Sequence, residues 1–434
     1  MSSTEELSVS LRTPDGDVPV GVLERNAAGL IRFTFERSYI DLGPDRPILS
    51  SSQAYPGDEE RTILQLRNGP MTGQGQEVHP WFSNLLPEGA LRDMVERGLP
   101  SGMTSDFDVL AHLGDDLPGA VVVRPMESYR ATPGKPKANQ DEVRQPGVRI
   151  RFSLAGVQLK MSMYKQDERL TFPAMGADGD IIAKLPSERY PLLPEIEFAS
   201  MKLAEAVGID AAPCSLVPVS SVGGLDEKIL RAGESVLAVE RFDRRPGGGR
   251  IHIEDFAQIM GVHGDRKYSA ANEETVLNIA TRLGGGGTKP FLEGARRIAC
   301  NILLGNTDAH LKNWSLWYPD LTTGQLSPAY DIVSVWSYDR SESMALKFRN
   351  TRNAEIIDLA RFIRAGELCG VPEKAVRKTV IQTIERAADE WPALIRDLPM
   401  PEDKADALLE RAERLALTRE VGARFSTQPT FSPR

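Results

Sequence analysis

Asp308 and Asn313 stand five positions apart in the run G-N-T-D-A-H-L-K-N (305–313), and Asp331 follows in A-Y-D-I-V (329–333). These residue types suit phosphoryl transfer. That reaction needs little covalent chemistry from a protein: one carboxylate to orient and deprotonate an acceptor hydroxyl, oxygen ligands to hold a divalent ion against phosphates, and cations to offset developing charge. In the D-x-x-x-x-N spacing the Asp is the base and the Asn a metal ligand. Asp331, at the end of a hairpin strand expected in QLSPAYD, is placed to be the second ligand, and such hard oxygens suit Mg²⁺. The spacing alone is common by chance. Lys312 strengthens it, because a cation in the same loop can reach the transferring group. His310 has no H-x-x-x-H or H-x-H partner among His79, His112, His252 and His263. Packing within the loop, or a hydrogen bond to Asp308, is therefore expected of it rather than metal binding.

A lysine that contacts phosphates should lie upstream on a strand, paired to a helix carboxylate. Lys184 in IIAKLP meets the first condition and Glu197 in the following helix the second, with Glu195 facing elsewhere. S-L-A-G-V-Q-L-K (153–160) puts small residues between two strands, where backbone N–H groups could face a triphosphate. A simple turn at Ala155-Gly156 reads equally well. V-E-R-F-D (239–243) closes the last strand before a helical region, where in a kinase-like architecture backbone groups would read an adenine edge, with Glu240 and Phe242 the candidates; an ordinary strand end is the plainer reading. The Gly284–Gly287 run has no strand before it and reads as a loop.

The elements that must carry these residues follow from periodicity. LSVSLRT, VPVGVLE and LIRFTFE alternate as strands, separated by turn signals such as Pro14-Asp15-Gly16. Residues 81–98 and DFDVLAHLG turn helical, the latter stopping at Gly114. RATPGKPKANQDEVRQPG (130–147) lacks apolar periodicity and reads as a linker. Beyond it come further strands, a helix over 194–208, the near-continuous apolar strand SVLAVERFD, and a mostly helical remainder from about 254. Residues 425–434 read as a polar tail.

At 434 residues the chain needs two or three packed units. Its net charge of -9 argues against whole-surface nucleic-acid binding, though a local basic patch is compatible with it. Lys374, Arg377 and Lys378 make one such helix face, which reads more simply as a solvated surface. Cys214, Cys300 and Cys369 are far apart and odd in number, so reduced, buried thiols are expected rather than disulfides. With no apolar leader in MSSTEELSVS and no run near membrane-spanning length, a cytosolic protein is expected.

Taken together, SxAGxQxK (153–160), IxKLP (182–186), LAVERFDRR (237–245), TDAHxKN (307–313) and PxYDI (328–332) resemble the HipA toxins of bacterial type II toxin–antitoxin modules. FSNLLPEG (82–89) and LGDDLPGAV (113–121) are similar to that family's amino-terminal region. The resemblance implies an α+β, bilobal, protein-kinase-like fold with a β-rich N-terminal subdomain (1–129), a linker, an α/β lobe (148–245) and an all-helical C-terminal lobe (246–424). It implies ATP and Mg²⁺ as cofactors, Asp308 as proton acceptor, and Asn313 and Asp331 as metal ligands. Lys184, Ser153, Ala155, Gly156, Val157, Gln158, Lys160, Glu240, Arg241, Phe242, His310, Lys312 and Tyr330 would surround the nucleotide. Ser153 matches the family's autophosphorylated serine. The further implications are phosphorylation of an aminoacyl-tRNA synthetase (glutamyl-tRNA synthetase first), arrest of translation, and neutralisation by a HipB-like helix-turn-helix antitoxin. Operator DNA would be met mainly through that antitoxin. The family's Gly after the catalytic Asp is Ala309 here, tolerable if that position does not need φ > 0. Two other readings stay open: a small-molecule kinase of the aminoglycoside type, and a non-catalytic corepressor. The former group usually carries H-x-D, whereas position 306 is Asn.

Overall fold

The computed structural model describes residues 4–100, 102–129, 159–166, 169–171, 178–223, 232–245 and 249–425. The linker 130–147 and the glycine-containing turn with Ser153, Ala155, Gly156, Val157 and Gln158 lie outside these residues. Two compact units form: Met1–Leu185 with Val217–Gly264 and Trp317–Gly324, and Pro186–Leu216 with Asp265–Leu316 and Gln325–Arg434. No helix among the described residues is long and apolar enough to cross a membrane.

In the first unit, β1 (Glu5–Thr13), β2 (Gly16–Arg25), β3 (Leu30–Phe35), β4 (Met71–Gln74) and β5 (Val121–Pro125) make an antiparallel sheet in the order β4-β3-β2-β1-β5. Alternation sorts its faces: Leu7, Val9 and Leu11 are buried, while Ser8, Ser10 and Arg12 between them are not. The expected helix over 81–98 is two pieces, α1 (Pro80–Ser83) and α2 (Gly89–Gly98). Pro87 has no N–H for a helical bond and holds its predecessor away from helical angles, so the chain breaks there. Helix α3 (Asp106–Leu113) starts at Ser105, whose hydroxyl accepts from Asp108 N at 3.3 Å.

Next come β6 (Lys160–Gln166), β7 (Arg169–Thr171) and β8 (Ile181–Lys184). After β9 (Cys214–Pro218) returns the chain, β10 (Ser235–Glu240) pairs antiparallel with β8, which also pairs antiparallel with β6. One face of this sheet presents Met161, Met163, Ile181, Ala183, Val236 and Ala238 to the same apolar core that β1–β5 enclose. The amino-terminal strands and the expected α/β lobe therefore share one interior. β11 (His252–Asp255) completes the strands of this unit used below.

The second unit is largely helical: α4 (Leu193–Ala206), α5 (Glu273–Leu283), α6 (Lys289–Leu304), α7 (Leu359–Leu368), α8 (Glu373–Leu394), α9 (Glu402–Arg414) and α10 (Ala416–Val421). Segment 186–216 belongs here because α4 lies against α8, where the Trp391 indole N–H donates to Leu203 O at 2.9 Å. Phe425, expected in a polar tail, is buried beside Trp391 with ring centroids 6.0 Å apart. Cys300 is buried, but Cys214 and Cys369 are only half-buried, and none of the three is in a disulfide.

Candidate functional site

Helix α6 buries an apolar stripe and ends at Gly305, whose φ is +64°. A Cβ there would sit 2.5 Å from Trp336 Cβ, so both the backbone angle and the packing select glycine. The chain then enters a loop held both by its own bonds and by its surroundings. Asn306 Nδ2 donates to Asn301 Oδ1 at 3.1 Å, and the carbonyl of Asp308 accepts from His310 N at 2.8 Å and Asn313 Nδ2 at 3.2 Å. Leu311, fully buried, anchors the single 3₁₀ turn Leu311–Asn313. Ala309 does not take positive φ, so the alanine in place of the family's glycine costs nothing there.

The second metal-ligand candidate arrives on a different path from the one expected. After β12 (Ser315–Tyr318), the strand β13 is only Gln325–Leu326. Ser327 N still reaches Ser315 O at 2.9 Å, but Pro328 has no N–H to continue a ladder. Asp331 therefore sits beyond the strand rather than at its end, with φ +59°. An L-residue held in the left-handed region costs of order 1 kcal/mol and marks a place where the surroundings dictate the backbone. Ala329 is held by bonds to Asp210 O (2.7 Å) and from Ala212 N (2.8 Å). The Tyr330 hydroxyl donates to Lys312 O at 2.9 Å and lies 2.6 Å from the Ser315 hydroxyl, tying this segment to the Asp308 loop. Asn313 and Asp331 consequently line one small recess with Arg297, Asn301, Asn306 and Tyr330.

His310 packs its ring edge-on against Tyr268, a residue outside its own loop, centroids 4.9 Å apart. Lys312 is buried in the loop. Sequence reasoning missed Tyr268, whose hydroxyl donates to Asp308 Oδ1 at 2.8 Å. No spacing rule connects a residue in a 3₁₀ turn forty positions upstream to this carboxylate.

The first unit gathers the cations. Lys160 on β6 and Lys184 on β8 are directly opposed partners in the antiparallel ladder, so their side chains leave the same face. That face is opposite the one bearing Met161 and Ala183. Both lysines are buried. Two ammonium groups at cross-strand distance disfavour each other unless anionic groups offset them. Glu197 lies on α4 and is buried, as is Glu195, so burial does not separate the two.

At the strand end the candidates divide. Glu240 is exposed, and Phe242 meets Trp317 edge-on at 6.2 Å. Arg241 does not join a nucleotide-lining surface through its side chain. Its guanidinium is buried, donating to Asp116 (3.2 Å), Asp243 (2.8 and 3.0 Å) and Ser162 (3.0 Å). Arg244 joins from the other side at 3.0 Å from Asp116 and 2.7 Å from Asp243. The Asp243 carboxyl, buried between two guanidiniums and accepting from Gly119 N, is held well below the usual range. Any contact of Arg241 with a nucleotide would therefore be through its backbone, its side chain being committed to this cluster.

Residues 15–124 match the HipA N-terminal domain and residues 152–391 the HipA-like C-terminal domain. The chain belongs to the HipA family. Y4dM of Sinorhizobium fredii, whose name marks it as a candidate kinase, is 39% identical over 409 residues, covering 93% of this chain and 96% of that protein. The serine/threonine-protein kinase toxin HipA of Shewanella oneidensis is 26% identical over 388 residues, covering 79% of this chain and 85% of that protein. HipA in the solved complex of Shewanella HipA, HipB and operator DNA superposes with a TM-score of 0.69 at 22% identity, covering 96% and 99% of the two chains. The α+β kinase-like fold expected from the sequence is thus the fold of the HipA family. In HipA terms, the motif TDAHxKN is the loop of Asp308 and Asn313, IxKLP is β8 with Lys184, and LAVERFDRR is β10 with the buried arginine cluster.

The donor set fits a hard divalent ion. Asn313 and Asp331 offer oxygens at one recess, too few for a cage made of protein alone, and no group of three or more His, Cys, Asp or Glu among the described residues could hold a metal. Mg²⁺ is ordinarily held this way, by one or two side chains with substrate phosphates and water completing the shell.

Proposed function

We propose that this HipA-family kinase is a serine/threonine protein kinase toxin that transfers the γ-phosphate of ATP to a protein hydroxyl. The observation that carries the reading is that Asn313, on the loop of Asp308, lines one recess with Asp331, the two segments being locked together through Tyr330. Asp308 takes the proton of the acceptor hydroxyl. Asn313 and Asp331 would hold Mg²⁺, while Lys160 and Lys184 would hold phosphate oxygens, with Lys312 available to the transferring group. Bound Mg-ATP supplies the phosphoryl group and screens its charge. Glu240 and Phe242 would meet the adenine. The proposed acceptor is an aminoacyl-tRNA synthetase, with glutamyl-tRNA synthetase the first to try, and its modification would inhibit translation.

Self-phosphorylation at Ser153 belongs to the same proposal. It would add about −1.5 to −2 charges beside the nucleotide phosphates and switch the enzyme off by repulsion. The proposed partner is a HipB-like antitoxin that carries the operator contacts. The exposed Lys374, Arg377 and Lys378 add little to this, since Arg377 is already paired with Glu373 at 2.9 Å.

The test is transfer from labelled Mg-ATP by purified protein, with and without added synthetases. Wild-type protein should transfer label, and Asp308→Asn should be slower by at least ~10²-fold, the usual worth of a general base. Equal rates for the two proteins would sink the assignment of Asp308. Ser153→Ala should lose its own phosphate in mass spectra, and undiminished phosphate would reject that serine.

A further inference from the structure

We infer that Tyr268 is a positioning residue for the general base, holding the Asp308 carboxylate in the orientation that receives the acceptor proton. The inference rests on the kinase reading above. The main chain of Asp308 is fixed by its loop, since its carbonyl accepts from His310 N and Asn313 Nδ2. That leaves the carboxylate torsion, which for aspartate is broad and poorly selected by sterics alone. The Tyr268 hydroxyl at 2.8 Å from Oδ1 constrains that torsion. A base must present a lone pair along the acceptor O–H direction, and a rotation of a few tens of degrees misaligns it.

Tyr268 is itself well held. Its ring stands edge-on to His310 with an interplanar angle of 79°, Lys267 Nζ lies 5.4 Å from the ring centre, and Arg352 donates to its carbonyl at 2.6 Å. Two contacts brace the ring, from His310 and Lys267, and the strand Thr351–Asn353 fixes the backbone beneath it. A hydroxyl braced in this way serves as a fixed donor rather than as a side chain that moves aside. It also gives His310 a function two residues from the base, as the surface on which Tyr268 rests.

The experiment compares Tyr268→Phe with wild type, alone and on an Asp308→Asn background, following loss of γ-phosphate from labelled Mg-ATP to protein or water. Phenylalanine keeps the ring on His310, and an unchanged thermal melt verifies the fold. Tyr268→Phe should lower kcat roughly tenfold, as loss of one hydrogen bond to a charged group implies, while KM for ATP holds within about twofold. On the Asp308→Asn background it should cause no further loss, because a residue acting through another has nothing left to position. An unchanged kcat, or the same fold-loss on both backgrounds, overturns the inference. Phosphate found on Tyr268 by mass spectrometry also overturns it, making that hydroxyl an acceptor. Wild-type protein inert toward Mg-ATP removes the kinase reading and this one together, whereas active wild type with an equally active Tyr268→Phe removes this one alone.

Discussion

Asp331 would meet two demands at once, the proposed oxygen ligand at the recess and a backbone with φ +59°. Asparagine tolerates that conformation better than other residues and keeps one oxygen, but it loses the charge. Asp331→Asn should therefore fold normally and bind ATP in the presence of Mg²⁺ at least about tenfold more weakly, a loss of ~1.4 kcal/mol. Calorimetric titration checks this, and unchanged affinity would deny Asp331 its ligand role. The opposed Lys160 and Lys184 make a parallel case: either lysine changed to Met should weaken ATP binding without the collapse in turnover expected of Asp308→Asn. Residues of this kind were legible because their chemistry is encoded in local spacing and strand alternation. The burial of the Arg241 side chain among Asp116, Asp243 and Ser162 was not legible, because Asp116 and Ser162 lie far from it in sequence.

A loop is only as well placed as the helix that delivers it, and α6 delivers the Asp308 loop. Arg411, on α9 and fully buried, donates to the last carbonyls of α6, Ile302 O at 2.8 Å and Leu303 O at 3.1 Å. Its Nε lies 2.8 Å from Glu342 Oε1, and its guanidinium lies 5.3 Å from the Trp336 ring that packs on Gly305. A cation at a helix C-terminus satisfies carbonyls that have no partner within the helix and complements its dipole. Arg411→Met should destabilise the protein by about 3 kcal/mol, the scale of breaking a buried ion pair from one side. Adding Glu342→Gln should recover part of that loss, since the two side chains form one unit. Urea unfolding of the single and double variants measures both effects, and a single-variant loss under about 1 kcal/mol would reduce the contact to ordinary packing. Nothing in the sequence assigned residues 350–434 a task beyond a helical lobe. A capping arginine whose partners lie a hundred positions away has no local signature, whereas helix α6 itself announces its length through its apolar stripe and its glycine stop.

Composition marks a proline-rich stretch at 130–147, not the surfaces that pack, and described residues before and after it share one apolar interior in the first unit. Polar groups buried in that interior make its stability depend on pH. His252 on β11 bonds through Nε2 to Leu49 O at 2.8 Å, lies between Trp81 and Tyr318, and has Nδ1 buried without a partner. Burial pushes its pKa down to about 4. The unfolded imidazole titrates near ~6.5, so between those values the unfolded chain holds a proton that the folded one refuses. Stability from this residue is complete above about pH 6.5 and is lost as the pH falls toward 4, by up to roughly 3 kcal/mol. Glu254, two residues along, works against this trend. Burial raises its pKa although Trp81 Nε1 (2.8 Å) and the Tyr318 hydroxyl (3.0 Å) donate to it, so its contribution is complete at low pH and is lost as the pH rises through its folded value. Replacing the imidazole separates the two. His252→Gln keeps a donor for Leu49 O but cannot titrate, so the wild-type advantage over it should be largest at pH 7 and shrink steadily toward pH 4.5. Hydrogen exchange of the β1 and β5 amides, compared between the two proteins at each pH, reads this out for the first unit without assuming that the whole chain unfolds in one step. Protection curves that stay parallel from pH 7 to 4.5 would mean that His252 is not the buried neutral base of this core, and that acid reaches the unit through its carboxylate clusters instead.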